Sequence, residues 1–350
     1  MTVHDMAHVE LYTSHAPSTI DYFVSGMGFT RVADRVEADR SSILLRQGET
    51  RLIVTSGRGI WKFLDRHGDG IADIALTCDD VTKTRDAAVA AGAESFAPAH
   101  GNPVVSAFGG VTHTLLPRPS HPDAWPPGRP WDTAPQGQEQ GQELGQAPVG
   151  VAAGRIRSLD HIAVCVEGSA LKNYADYYGA AFGMSRYSSE YVAVGDQAMD
   201  SIVVRSESGR VTFTLVAPDP TKSPGQLDAF LDRNGGPGVQ HLAFLVDEII
   251  PAVRELRDQG VEFLSTPGTY YDMLADRFTG TRERIEELRA TQILADRDEW
   301  GYLLQLFSRS PYERNTLFFE LIQRRGSRGF GSANIRALYE AVERDRLAAG

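Results

Sequence analysis

The sequence is poor in the features that mark several large functional classes. It has two cysteines, Cys78 and Cys165, both inside apolar runs and without CxxC spacing. That excludes a disulfide framework and a cysteine-built zinc site. There is no Lys/Arg-rich run and the net charge is −11, which argues against nucleic acid or an anionic membrane surface as partner. No apolar stretch approaches the roughly 18 residues that a membrane-crossing helix needs. The first residues show no basic segment followed by an apolar one, so no signal peptide is expected and the cytoplasm is the expected compartment. What is present is 42% hydrophobic and 23% charged, in a 350-residue chain long enough for two domain cores.

Read in order, the chain uses one module repeatedly. A strand at 8–13 leads to a helix over 16–27 with Ile20, Phe23 and Val24 on one face, closed by Gly28. Strands at 42–46 and 50–55 follow, joined by a hairpin signal. The same order returns with a strand at 70–78, a helix at 80–91 and strands near 104–105 and 111–116. Residues 118–154 then turn Pro-rich and afterwards Gln/Gly-rich, with no periodicity. They read as an extended linker without a site. The pattern restarts with a strand at 159–166, a helix at 170–182 and strands at 201–205 and 211–216. A fourth unit has a strand from 239, a helix at 249–259 and strands at 302–307 and 316–322, before a last helix at 334–347.

The expected fold is therefore α+β, with four βαβββ modules paired into two domains and a C-terminal helix. The domains fall at 1–117 and 155–350, with the linker at 118–154 between them. Two modules side by side form a curved sheet whose concave face can enclose a ligand.

Three polar residues stand out in the second half. His161, in Leu159-Asp-His161-Ile-Ala-Val164, and His241, in Gly238-Val-Gln-His241-Leu-Ala243, occupy matching positions in repeated strands. Glu320 sits in an apolar run between Phe319 and Leu321, where an ionised carboxylate is expensive unless a cation neutralises it. Two histidines and a carboxylate on separate strands make the ligand set of a non-haem Fe(II) site with open positions. The first-half equivalents are His8, Asp73 and roughly Thr114. That set lacks a proper third ligand and marks a degenerate copy with a structural role. His113 reads as a surface or interface residue.

The second half resembles the 4-hydroxyphenylpyruvate dioxygenase family, which includes 4-hydroxymandelate synthase, within the vicinal-oxygen-chelate fold. The resemblance is carried by Asp160-His161-Ile-Ala163, Gly238-Val-Gln-His241-Leu-Ala243 and Pro267-Gly-Thr-Tyr-Tyr-Asp272, then by Tyr302-Leu-Leu-Gln-Leu-Phe307, Phe318-Phe-Glu320-Leu-Ile-Gln-Arg324 and the segment Gly329 to Glu340. The first half resembles it more weakly, through its module pattern and the run Gly68 to Ala75. The resemblance implies Fe(II) held by His161, His241 and Glu320, with 4-hydroxyphenylpyruvate and O2 as substrates and a homodimer as the assembly. One branch of the family makes homogentisate by attacking the ring. The other makes 4-hydroxymandelate by hydroxylating the benzylic carbon.

Three departures favour the second branch. Ala333-Asn334-Ile335 stands where the dioxygenases usually have Gly-Asn-Phe. The pocket strand reads Phe213-Thr214-Leu-Val216-Ala-Pro218 and so loses a proline and an asparagine amide. Thr214 and Ser201 would offer hydroxyls to the substrate phenol, with Val216 beside them. Gln226, Gln305 and Phe307 are further substrate-pocket candidates by position, and Ile335 starts a helix expected to act as a lid. The mandelate branch would imply supply of hydroxyphenylglycine for antibiotic biosynthesis. The homogentisate-forming dioxygenase, and a metal-free binding module of the same fold, remain as alternatives.

Overall fold

The structure is a computed structural model that describes residues 3–121, 126, 128–133, 154–278, 282–331 and 333–334. In the first half β1 (Val3–Tyr12) leads to α1 (Ala16–Asp21), β2 (Thr30–Val36), β3 (Ser41–Gln47) and β4 (Thr50–Ser56). After α2 (Trp61–His67) come β5 (Gly70–Cys78), α3 (Val81–Ala90), β6 (Ser95–Ala99), β7 (Asn102–Ser106) and β8 (Thr112–Pro117). A two-residue β9 (Asp132–Thr133) follows.

The second half opens with β10 (Ile156–Cys165), α4 (Leu171–Phe182), β11 (Ser185–Val194), β12 (Gln197–Arg205) and β13 (Thr212–Pro218). Helix α5 (Gln226–Asn234) leads to β14 (Gly238–Val246), α6 (Ile249–Asp258), α7 (Gly268–Arg277) and α8 (Arg282–Thr291). The half closes with β15 (Leu294–Arg297), β16 (Tyr302–Phe307) and β17 (Phe318–Arg325).

Each half builds one mixed sheet, in the orders β6-β7-β8-β5-β1-β4-β3-β2-β9 and β11-β12-β13-β10-β14-β17-β16-β15. The opening strands of the two modules in each half pair antiparallel at the centre, β1 with β5 and β10 with β14. Each also pairs in parallel with the last strand of its own module. This is the paired βαβββ arrangement of the vicinal-oxygen-chelate fold, as the repeat implied. No helix among the described residues is long and apolar enough to cross a membrane.

Local signals explain most element boundaries. Asp80 caps α3 by accepting a hydrogen bond from the Lys83 backbone N–H at 3.0 Å. Gly183 ends α4 in the left-handed region, at φ 68°. The helix expected over 16–27 is α-helical only to Asp21 and continues as a π-helical turn, Tyr22–Gly26. The wider turn lets the adjacent rings of Tyr22 and Phe23 both reach Phe319, at centroid distances of 5.6 and 5.3 Å. Strands β2, β6, β9, β11 and β15 were not expected. β6 lies at a sheet edge, is mostly exposed and contains Pro98, so it carries no apolar alternation to read.

Alternation along the strands divides each sheet into two faces. In the second sheet Phe213, Phe244 and Phe319 lie on the core face, while their neighbours Thr214, Ala243 and Glu320 lie on the other. The core face meets the first half: Phe29 packs edge-on against Phe244 at 5.9 Å, as Phe23 does against Phe319. Both cysteines are buried free thiols.

Of the two places expected for His113, surface or interface, the structure gives the interface: it is fully buried and sits where the halves meet. Its Nδ1 lies 2.8 Å from the Ile74 carbonyl, and its Nε2 lies 3.0 Å from the Tyr178 hydroxyl of α4. The segment expected to be a linker without a site behaves differently where it is described. β9 pairs with β2, and Trp131 is buried beside Ala33, Leu44 and Ile53. Residues 134–153, most of the final helix at 334–347, and Ile335 lie outside the described residues.

Candidate metal centre

Register brings the three candidate ligands together. In the antiparallel pair β10/β14, His161 lies opposite Ala243 and Ala163 opposite His241. In the parallel pair β14/β17, Ala243 lies beside Glu320. Partners across a ladder share a face, as do residues two apart along a strand. All three side chains therefore rise from one face, on three neighbouring strands. His161 Nε2 and His241 Nε2 are 3.4 Å apart, and Glu320 Oε2 lies 3.4 and 3.2 Å from them. His161 and Glu320 are each 3% exposed.

These distances suit a metal ion. Ligands at about 2.1 Å from an ion and at right angles to one another stand about 3 Å apart. Each imidazole is also held by its other nitrogen: His161 Nδ1 is 2.8 Å from Asp160 Oδ1, and His241 Nδ1 is 3.3 Å from Gln240 Oε1. An Nδ1–H donated to those oxygens leaves both Nε2 lone pairs facing Glu320. The N/N/O donor set fits a divalent ion with open positions, and on this geometry His161, His241 and Glu320 are the residues that could hold one.

The electrostatics point the same way. Burial opposes a charge on Glu320, yet the two histidines outweigh it and hold the carboxyl at about 2. Burial likewise opposes a charge on His161, but Asp160 and Glu320 lift it to about 9. His241 is lowered, chiefly by burial. Glu320 thus stays ionised in a buried place, and with Asp160 balanced by Arg324 it is Glu320 that, without an ion, a histidine proton must balance. A cation is what the cluster calls for.

Behind His161 lies a pair that carried no role in the sequence reading. Arg324 grips Asp160 with two hydrogen bonds of 2.7 Å, Nε to Oδ2 and Nη2 to Oδ1. Its Nη1 donates to the Gly329 carbonyl at 2.6 Å, and its guanidinium lies over the Phe330 ring. Phe330 in turn meets His161 edge-on at 5.2 Å. Arg324 follows Glu320 by four residues on β17, so it faces the same way. That spacing was legible; its partner Asp160 was not. A cavity of about 610 Å³ between the halves reaches Asp160, Arg324 and Phe330 from behind, and none of the three candidate ligands lines it.

The substrate-pocket candidates divide. Thr214 pairs with Ala163, Val216 with Cys165 and with Ser201, and Phe307 with Glu320, so all share the face of the triad, as does Gln305 two residues before Phe307. Phe307 stands 5.8 Å from His241, and Phe318, which sequence reasoning missed, stacks on His241 at 5.0 Å. Thr214 Oγ1 and Gln305 Oε1 are buried and make no hydrogen bond among the described residues. Ser201 donates its hydroxyl to the Glu190 carbonyl at 3.1 Å, and Val216 packs with Cys165 and Phe230. Gln226 is exposed at the first turn of α5, outside this group.

Known proteins resemble both halves. Residues 1–116 match the family model described as hydroxyphenylpyruvate dioxygenase, N-terminal, and residues 160–277 match that of the glyoxalase/bleomycin resistance protein/dioxygenase superfamily. A 4-hydroxyphenylpyruvate dioxygenase of Yarrowia lipolytica is 32% identical over 98% of this chain and 92% of its own length. One from Aspergillus fumigatus is 31% identical over 98% and 93%. A solved structure of a mutant 4-hydroxymandelate synthase from Streptomyces coelicolor is 48% identical, covers 98% of this chain and 99% of its own, and superposes with a TM-score of 0.84.

Proposed function

Because the chain belongs to the 4-hydroxyphenylpyruvate dioxygenase family, we propose that it is an Fe(II)-dependent 4-hydroxymandelate synthase. It would convert 4-hydroxyphenylpyruvate and O2 into 4-hydroxymandelate and CO2. The observation that carries the choice of product is Thr214. It stands on the face of the triad with a buried hydroxyl that no described residue engages, on a strand that lacks the dioxygenase branch's proline and asparagine. The 48% identity to the Streptomyces synthase, against 32% to the Yarrowia dioxygenase, supports the same choice. In this reading the second half is catalytic, the first half structural, and the assembly a homodimer.

His161, His241 and Glu320 would hold Fe(II), which when bound would take the 2-oxo acid as a bidentate ligand and activate O2, the oxidant for decarboxylation and hydroxylation. The residues do the rest. Glu320 offsets part of the ion's charge, and Asp160, clamped by Arg324, keeps the proton on His161 Nδ1. Phe307 and Phe318 give the substrate ring flat apolar walls and keep water from the reacting carbon. Thr214 and Gln305 present oxygens to the phenol at the far end of the ring. Anchoring the phenol there fixes which carbon faces the metal, and a shift on the order of 1 Å changes the outcome.

The test is product identification after anaerobic loading with Fe(II) and 4-hydroxyphenylpyruvate, followed by aeration. 4-Hydroxymandelate as the main product is expected. Homogentisate would overturn the product assignment and leave the family intact. Absence of both iron binding and substrate-dependent O2 uptake would leave only a metal-free binding protein.

A further inference from the structure

The first sheet carries a second charged cluster on its equivalent face. His8 lies opposite Ala75 as His161 lies opposite Ala243, and Asp73 lies opposite Glu10 as His241 lies opposite Ala163. Thr114 falls level with Ala75, in the place of Glu320. The added acid is Glu10, whose counterpart is an alanine. His8, Glu10 and Asp73 are 5%, 4% and 6% exposed. Thr55 donates to Glu10 Oε1 and Thr112 to Asp73 Oδ1, both at 2.6 Å, but Asp73 Oδ2 and His8 Nδ1 are buried with no hydrogen bond among the described residues.

A buried carboxylate that stays ionised needs a cation, and Glu10, whose burial opposes the charge but which Arg129 holds below its usual range, is the one that does. His8 does not supply it, because burial drives its pKa down to about 3. Arg129, from the segment between the halves, does. Its guanidinium donates from Nη2 to Glu10 Oε2, and its side chain is 12% exposed. It interacts electrostatically with Asp73 and Tyr12 as well as Glu10, and it lies over the Trp131 ring. We infer that Arg129 is the resident cation of this second centre: its guanidinium neutralises Glu10 where the second half has a metal-binding set, and it pins the segment between the halves into the first sheet. A guanidinium is always charged and cannot exchange with solvent as an ion can, so the first half folds without a metal supply. The inference rests on these contacts and holds whichever product the second half makes.

The test compares thermal unfolding of the full-length protein, its Arg129→Met variant and the double variant Glu10→Gln/Arg129→Met between pH 5 and pH 8. Also near the cluster are Tyr12 on β1, Arg40, Arg51 on β4, and His100. At pH 8 Arg129→Met should lower Tm by about 5 °C or more, since breaking a buried pair strands a charge. Burial already raises Asp73 to about 7 with Arg129 present. Without the guanidinium both acids have folded pKa values above their unfolded ones. Their penalty is absent below the unfolded values and grows as pH rises, so the loss of Tm should shrink toward pH 5.

Low-millimolar guanidinium should restore part of the loss where equal NaCl does not, and the double variant should recover most of it. An unchanged Tm at pH 8, or a loss that is independent of pH and not relieved by Glu10→Gln, overturns the inference. If Arg129→Met does not fold, the double variant decides. Near-parental stability supports a charge role, and failure to fold shows that Arg129 acts through packing alone.

Discussion

The two equivalent sheet faces are built on the same register and hold different charge systems. The second has histidine, histidine and glutamate, with each histidine held from behind and the three donor atoms 3.2–3.4 Å apart. The first has histidine, aspartate and threonine, plus Glu10 where the second has Ala163, and an arginine reaches in from another segment. The scaffold fixes where polar side chains can converge. Side-chain identity decides whether they form a set that could hold an exchangeable ion or one met by a covalently attached guanidinium.

The largest effect should come from Glu320→Gln. The amide keeps the shape and removes the charge that a metal ion held at the second face would need. Turnover should be lost and iron content should fall below stoichiometry, with near-native circular dichroism. An active variant would mean that the metal is held elsewhere and that the comparison of faces is misdrawn.

A smaller loss is expected from Asp160→Asn, which breaks the bidentate clamp of Arg324 and weakens the hold on His161 Nδ1. Co(II) titration of the apoprotein should show an affinity lower by about 10–100-fold. Unchanged affinity would remove the Arg324–Asp160 pair from the difference between the halves.

Thr214→Val is nearly isosteric and deletes the unengaged hydroxyl. Losing one hydrogen bond to substrate costs about 1 kcal/mol, so KM for 4-hydroxyphenylpyruvate should rise several-fold with Tm unchanged. An unchanged KM would leave Thr214 as packing only.

The smallest effect lies between the faces, at His113. Burial lowers its pKa to about 4, so it is neutral in the folded state and favours folding above its unfolded value near 6.5. That contribution fades as pH falls from there toward 4. His113→Phe should flatten this acid limb in a Tm-versus-pH series. It should also cost about 1–3 kcal/mol at neutral pH by stranding the Ile74 carbonyl and the Tyr178 hydroxyl. Activity per folded molecule should be unaffected. A parental acid limb would show that the junction between the halves is indifferent to His113.

Much of this was legible before folding. β5 was read to the residue, because it is buried on both faces and bounded by turn signals. The triad was legible because strands have period two and the module repeats, so two histidines at matching positions fall on one face. The first-half equivalents His8, Asp73 and Thr114 agree with the register. The expected linker over 118–154 was too broad. Its early, proline-rich part contains an arginine and a tryptophan that pack into the first sheet, which composition does not reveal. Gln226, assigned by position, is exposed because a helix start has no periodicity to set its direction. Ser201 faces the right way but has its hydroxyl engaged by a neighbouring carbonyl.

By itself the sequence determined the repeated module, the paired sheets and the three residues on one sheet face. Local alternation and repetition suffice for that. Only the tertiary structure decided what neutralises each buried charge. Arg324 meets Asp160 across 164 positions, and Arg129 meets Glu10 across 119. Such pairs have no period and no neighbour signal. They exist because a buried carboxylate is too costly to leave alone, and the folded chain brings whichever cation its path can reach.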